Sequence, residues 1–286
     1  MPSSLLHSVS TNPLTKHLSG HKQHDAHEFL VAFLNAIIEV EEKEKGNRAQ
    51  SEVEKLFQGK MQSKLTCGYC SHSSSVSETF INISLPMSTM SGMNMYTSES
   101  KSNTPQGTPS STPSPSPTPE VMLAGGGGAA KERPSNVTLE SLLQKFTSLE
   151  SLTDSTCDNL VCSKCMKRGG FKKQLSFESL PEILVIQLKR FDGVRRKKIT
   201  VHVDFPVDGL MMGVGGEGGE VAEYVLTGVV EHIGSSMDQG HYSNFIREGG
   251  GGGEFYRCGD AIVTPASVQE VKRTGGAYIL FYALKK

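Results

Sequence analysis

Two groups of residues in this 286-residue chain have types and spacings that could do chemistry. The first opens at Gln239-Gly240-His241-Tyr242, where residues 241–247 (HYSNFIR) alternate and are rich in aromatics. A similar stretch, 254–260 (EFYRCGD), follows a loop that is nearly all glycine. Folding the two as a hairpin pairs Arg247 with Glu254 and sets His241 opposite Asp260, to within about two residues. An imidazole facing a carboxylate is the base-and-orienter half of a nucleophilic apparatus. The other half, an activated nucleophile, is hard to find. The second group is Cys67-Gly68-Tyr69-Cys70 and Cys162-Ser163-Lys164-Cys165, two C-x-x-C knuckles far apart in sequence. Four thiolates close a tetrahedral zinc shell and leave no open position, which makes such a site structural. A redox dithiol or unrelated buried cysteines are the rival readings, and Cys157 is a possible competing ligand. Two knuckles in matching contexts favour zinc, whose binding supplies about 10–16 kcal/mol in small peptides.

The elements that must position these groups follow from periodicity. Phe29, Leu30, Phe33, Leu34, Ile37 and Ile38 recur at helical offsets, predicting one amphipathic helix over 25–45 with Asp25 and Glu28 spaced as a capping box. A second helix is expected over Leu139 to Leu149. From Ser176 onward the pattern is mostly strand: Ile183 to Phe191, Tyr224 to His232, His241 to Arg247, Glu254 to Cys258 and Ala277 to Leu284. Little room for crossover helices predicts a largely antiparallel sheet beside an N-terminal helical part, an α+β arrangement. Strand-like residues flank each cysteine knuckle, so two hairpins clipped at their bases by one metal are expected. Residues 87–134 are mostly Ser, Thr, Pro and Gly and cannot bury enough apolar surface to fold, which predicts a disordered insertion. It carries Ser/Thr-Pro dipeptides from Thr104-Pro105 to Thr118-Pro119, open to proline-directed phosphorylation or serving only as a spacer. Glycine clusters at 213–219 and 249–253 read as loops. The basic residues at Lys189-Arg190 and Arg195 to Lys198 read as solvated edges.

Composition narrows the class. Lys plus Arg total 29 against 30 Asp plus Glu, so no net field recruits nucleic acid or an anionic membrane. No apolar run is long enough to span a bilayer, and residues 1–20 lack a secretory signal. Six cysteines, four of them in knuckles, suit a reducing compartment, the cytoplasm or nucleus. His27 and His232 read as packing or hydrogen-bonding residues.

Taken in order, these pieces resemble the ubiquitin-specific proteases. Gln23-His24-Asp25-Ala26-His27-Glu28-Phe29-Leu30 resembles their "QQDAHEFL" box, Leu188-Lys189-Arg190-Phe191 their "LKRF" strand, and Val203-Asp204-Phe205-Pro206 the "V-x-F-P" that follows. Tyr224 to Tyr242 is similar to "Y-x-L-x-x-V-x-x-H-x-G…GHY", and Gly276 to Tyr282 to "AYxLFY". The resemblance implies a papain-like cysteine protease of thumb, fingers and palm, cutting the bond after the C-terminal glycine of ubiquitin. It implies a single domain: 1–58 a partial thumb, 59–86 and 135–182 the fingers, and 183–286 the palm. His241 would be the general base and Tyr242 and Gln23 would line the substrate site. Asp25 and Glu28 would meet ubiquitin's basic tail, or cap their helix. Cys67, Cys70, Cys162 and Cys165 would hold structural zinc, and 234–240 would be a mobile loop beside the cleft.

Two departures stand out. The family's cysteine-bearing "GNTCYxNSxxQ" box has no counterpart, because residues 1–22 contain no cysteine, so the thumb is expected to be incomplete. Where the family carries its third triad member this chain has Gly259, and Asp260 is the nearby carboxylate, reachable if Gly259 permits a bulge. The expected function is a cysteine-type deubiquitinase domain hydrolysing isopeptide and peptide bonds after ubiquitin's C-terminal glycine, inactive as the chain stands because its nucleophile is missing. The alternatives are a catalytically dead, ubiquitin-binding pseudoprotease or an unrelated zinc-stabilised scaffold.

Overall fold

The computed structural model describes residues 3–20, 23–45, 50–87, 137–152, 159–193, 196–215, 219–236 and 239–286. Nearly all of the Ser/Thr/Pro/Gly insertion, with its Ser/Thr-Pro dipeptides, lies outside the described residues, as do Cys157, Arg195 and positions 216–218 and 237–238.

Helix α1 (Ser3–Thr11), which periodicity did not single out, precedes α2 (Ala26–Lys45), the predicted amphipathic helix. The capping-box reading of α2 holds in half. Asp25 Oδ1 accepts from the backbone N–H groups of His27 and Glu28 at 2.8 and 3.0 Å, the role of an N-cap carboxylate. The Glu28 carboxylate instead lies 3.5 Å from His17. Helix α3 (Glu52–Phe57) follows, and α4 (Leu139–Thr147) stops two residues short of the expected Leu149; α5 (Val268–Arg273) is the last helix. Each of these three begins with a reciprocal capping box, built on Ser51, Thr138 and Ser267.

Strands β1 (Gly59–Cys67), β2 (Ser73–Phe80) and β3 (Ile83–Pro86) lead into β4 (Val137–Thr138), β5 (Glu150–Leu152) and β6 (Phe171–Ser179). Then come β7 (Ile183–Lys189), β8 (Phe191–Asp192), β9 (Lys197–Lys198), β10 (Val203–Asp204) and β11 (Asp208–Gly213). The last five are β12 (Val221–Ile233), β13 (His241–Arg247), β14 (Phe255–Gly259), β15 (Ile262–Ala266) and β16 (Ala277–Leu284). The larger sheet runs β15-β14-β13-β12-β16-β7-β3, with β11 also on β12. All of its pairs are antiparallel except β3 with β7. The fold is thus α+β with mostly antiparallel sheet.

Both faces of the central strands are covered, which is why β7 reads as a nearly continuous apolar run (ILVIQL) rather than an alternation. Leu184, Ile186 and Leu188 join the main core with Leu280 and Tyr282 of β16 and Leu139, Leu142 and Leu143 of α4. Val185 faces the other way, into a smaller core with Ile279, Tyr278 and Leu30 of α2. The basic run beyond β7 departs from the expected solvated edge at two residues, whereas Lys189, Arg196 and Lys197 are exposed. Arg190 is fully buried where the chain leaves β7, and Lys198 is 6% exposed. Backbone carbonyls replace water at two of the three Arg190 nitrogens: Nε donates to Ala277, and Nη1 donates to Ile199 and Val201 at 3.1 and 2.8 Å, while Nη2 has no partner among the described residues. Burial pulls its guanidinium down to about 10.

The smaller sheet, β2-β1-β6-β5, is antiparallel and projects the cysteine knuckles. Its geometry corrects the expectation of two hairpins clipped at their bases. Cys67 ends β1 and Cys70 lies in the turn before β2, so the knuckle sits at a hairpin tip. The residues before the second knuckle make a single bridge, Val161 to Arg168, and β6 pairs with β1 itself, Cys67 opposite Phe171. One sheet therefore brings both knuckles to the same end.

Candidate active site and cysteine cluster

Hairpin β13–β14 positions the predicted base. Arg247 pairs with Phe255 rather than Glu254, one residue from the expected register, because the glycine loop includes a short 3-10 turn over Glu248–Gly250. His241 begins β13, and Asp260 occupies the two-residue turn joining β14 to β15, where Gly259 pairs with Ile262. Asp260 has φ +51°, a left-handed value that aspartate tolerates in tight turns. The turn, not a bulge at Gly259, lifts the carboxylate out of the strand alternation. His241 Nε2 lies 3.5 Å from Asp260 Oδ2, with the side chains 52% and 82% exposed. Water screens a pair this exposed, so the contact orients the ring more than it stabilises the fold.

A groove of about 660 Å³ opens beside the pair, lined by Gln23, Asp25, Phe191, His232, His241 and Asp260. A chain of hydrogen bonds sets its far wall. Ser84 donates to Gln187 Oε1 at 2.6 Å, Gln187 Nε2 to the Tyr278 hydroxyl at 2.8 Å, and that hydroxyl to Asp25 Oδ2 at 2.6 Å. Burial, then the Asp25 carboxylate, pushes the Tyr278 hydroxyl well above the ordinary phenol range, so it stays a donor. The Ala26 N–H donates to the Tyr242 hydroxyl at 3.4 Å, and Gln23 Nε2 to the Gly240 carbonyl at 3.2 Å. The start of α2 is thereby tied to the segment carrying His241. Both Asp25 oxygens are engaged in these ties, and Glu28 is exposed nearby.

His232, read from sequence as a packing or hydrogen-bonding residue, is 4% exposed in the groove wall. Its ring meets Phe191 and Tyr242 edge-on, with centroids 5.2 and 5.0 Å away, and its Nδ1 has no hydrogen-bond partner among the described residues. Burial, then the Lys198 ammonium, pulls it down to about 4, so the imidazole is neutral. His27 is a hydrogen-bonding residue, its Nε2 3.0 Å from Asn82 Oδ1. Sequence reasoning missed Gln187 and Tyr278. A glutamine inside an otherwise apolar strand was the available signal, since a buried amide needs a partner.

The four knuckle cysteines converge, their sulfurs all within 4.8 Å of one another. Sγ of Cys67 is 3.8 Å from that of Cys165, and Sγ of Cys70 is 3.6 Å from that of Cys162. Four sulfurs placed tetrahedrally about a metal at about 2.3 Å lie about 3.8 Å apart, so these residues fit a tetrathiolate site and could hold a metal ion. The two turns match. Ser71 and Met166 both have φ +58° and donate their N–H groups back to the carbonyls of Cys67 and Cys162 at 2.9 Å. The N–H of Cys165, before burial or any other influence, brings the Cys162 thiol down to about 6, favouring thiolate. Cys258 lies apart from the cluster, opposite Asn244 on β13.

Known proteins are similar to this chain in sequence and fold. A sequence profile of the ubiquitin carboxyl-terminal hydrolase family matches residues 1–282. Ubiquitin carboxyl-terminal hydrolase 22-B of Xenopus laevis is 31% identical over 307 residues, covering 99% of this chain and 53% of that protein. Human ubiquitin carboxyl-terminal hydrolase 22 is 30% identical over 311 residues, covering 99% and 53%. The chain thus spans about half the length of the curated relatives it matches. Among solved structures, a chain of the SAGA DUB module of Ubp8, Sgf11, Sus1 and Sgf73 bound to monoubiquitin superposes with a TM-score of 0.73 at 25% identity, over 99% of this chain and 52% of that one. The same module bound to ubiquitin aldehyde gives 0.72 at 24% identity, over 100% of this chain and 56% of that one, a likeness of fold. By the match over residues 1–282, the chain belongs to the ubiquitin carboxyl-terminal hydrolase family.

Proposed function

We propose that this chain is a cysteine-type deubiquitinase domain that receives the C-terminal tail of ubiquitin in the groove beside His241. The observation that carries the reading is the 3.5 Å approach of His241 Nε2 to Asp260 Oδ2 at the edge of that open groove. In this reading His241 takes the proton of an attacking thiol and returns it to the leaving amine, and Asp260 holds the ring in the productive tautomer. Gln23 and Tyr242 set the groove's width. Asp25 and Glu28 offer negative charge to a basic tail, Asp25 while also serving as a helix cap. Residues 1–58 act as part of a thumb, 59–86 and 135–182 as fingers, and 183–286 as a palm. The four cysteines hold a structural zinc ion, which keeps the end of the smaller sheet folded. Ubiquitin is the partner, in the cytoplasm or nucleus; among the described residues no helix is long and apolar enough to cross a membrane.

A second reading, binding without hydrolysis, is favoured by the cysteines themselves. Four converge in the cluster, and Cys258 sits three positions along β13 from the row of His241. Among the described residues, no thiol lies in the strand row of His241, where that base could take its proton. The chain as given should therefore bind monoubiquitin but release no fluorophore from a ubiquitin C-terminal conjugate. Calorimetry with monoubiquitin and a fluorogenic assay test the two halves separately. No measurable binding ends the ubiquitin reading; turnover ends the binding-only one.

A further inference from the structure

Lys198 is a buried cation that the reading above leaves unused. It lies on β9, and its side chain reaches under the strand that leads into the groove. Nζ donates to the carbonyls of His232 and Gly234, both at 2.7 Å, at the end of β12. No carboxylate takes a hydrogen bond from it among the described residues, although Glu231 acts on it from the same strand and Arg190 opposes it. Burial pulls the amine down to about 8. An ammonium buried with only carbonyls as hydrogen-bond partners is costly.

What it holds leads straight to His241. The His232 ring, whose own carbonyl Lys198 grips, packs against Tyr242 and lies beneath Gly240. A Cβ on Gly240 would come within 2.2 Å of His232 Nε2 and 2.7 Å of the Ile233 carbonyl, so only glycine lets the backbone pass this close. Gly234, with φ +144°, would likewise meet the Gln239 carbonyl at 2.8 Å. The two ends of the β12–β13 connection are thus stacked on each other, with His232 between them and Lys198 fastening the lower end. His241 follows Gly240 directly.

We propose that Lys198 is a positioning residue for the groove, acting through the His232 ring to fix Gly240 and hence the place of the His241 imidazole. The inference deepens the deubiquitinase reading, but its test requires no ubiquitin. Hydrogen exchange at fixed pH is followed by mass spectrometry in wild type and Lys198→Met, which keeps the stem's volume and removes the donors. The His241 ring Cε1–H signal is followed by NMR in the same proteins. Amides of 239–242 should exchange about tenfold faster in the variant while the slowest amides of β7 and β16 keep their rates, because the opening is local. The His241 signal should shift, and Lys198→Arg should restore part of both effects. Should Lys198→Met fail to fold, Gly240→Ala, which displaces the His232 ring from above, should give the same local pattern. Unchanged exchange at 239–242, or acceleration spread evenly over β7 and β16 with an unmoved His241 signal, would overturn the proposal. Monoubiquitin binding by the wild type, measured separately, decides the ubiquitin reading without bearing on this one.

Discussion

A neutral imidazole in a packed wall makes stability depend on pH. His232 sits near 4 in the folded protein against an ordinary 6.5, so the unfolded chain takes up a proton in that interval that the native state refuses. Its contribution is therefore complete above about pH 6.5 and is lost as the pH falls towards 4, on the order of 2–3 kcal/mol over the interval. Urea unfolding at pH 7 and pH 4.5 should show a larger drop for wild type than for His232→Phe; equal drops would remove His232 as the cause. At the neighbouring glycine the constraint is steric. Gly240→Ala forces a methyl into space that His232 Nε2 already fills, which should cost about 1–3 kcal/mol in the same assay. The sequence marked His241 and Asp260 because their types and approximate register were visible in an alternating hairpin. It gave no sign that Asp260 would reach the ring through a left-handed turn, since a two-residue connection after Gly259 and a bulge share the same letters.

At the scale of elements, the start of α2 is the joint between helix and sheet. Asp25 caps the helix with one carboxylate oxygen and receives the Tyr278 hydroxyl on the other. Asp25→Ala removes a cap, at about 0.5–2 kcal/mol, and strands a buried hydroxyl that had a charged partner, at about 1.5–3 kcal/mol. A total loss of about 2–4 kcal/mol is expected in urea unfolding. Tyr278→Phe should cost less, and the double variant should fall short of the sum by about 1 kcal/mol, the signature of a shared contact. Strict additivity would mean that the two groups act independently. The periodicity of α2 and the span of β13 were legible because each follows one simple repeat, and β16 because it is a short, nearly unbroken apolar run. The burial of Arg190 and Lys198 was not: charge runs are solvated in most settings, and only the chain's turn beneath the sheet supplies the carbonyls that receive them.

For the molecule as a whole, the two sheets differ in what holds them. The larger sheet packs side chains on both faces, whereas among the described residues the end of the smaller one buries a cluster of just Cys67, Cys162 and Phe171. Metal should therefore be the main source of order at that end. Purified protein should carry one zinc ion per chain, read by atomic emission. Chelation should speed exchange in β1, β2 and β6 and release four titratable thiols, while β7, β12 and β16 remain protected. A metal-free protein with equal protection in both sheets would show the cysteines to be merely packed.

The order of its segments was enough, read alone, to establish the family, the antiparallel α+β arrangement and the convergence of four cysteines on one metal-sized site. The family rested on ordered motifs that resemble those of known proteins; the arrangement and the cysteine site followed from residue type, period and spacing, which survive being read one letter at a time. Tertiary structure alone decided the rest: that both knuckles share a single sheet, that Asp25 serves the helix and Tyr278 at once, and that a lysine and a histidine lie beneath the base. Those arrangements depend on which distant backbone carbonyls and rings come within a few ångströms of each other. No local pattern carries that information, because burial and hydrogen-bond partners are set only when the layers close.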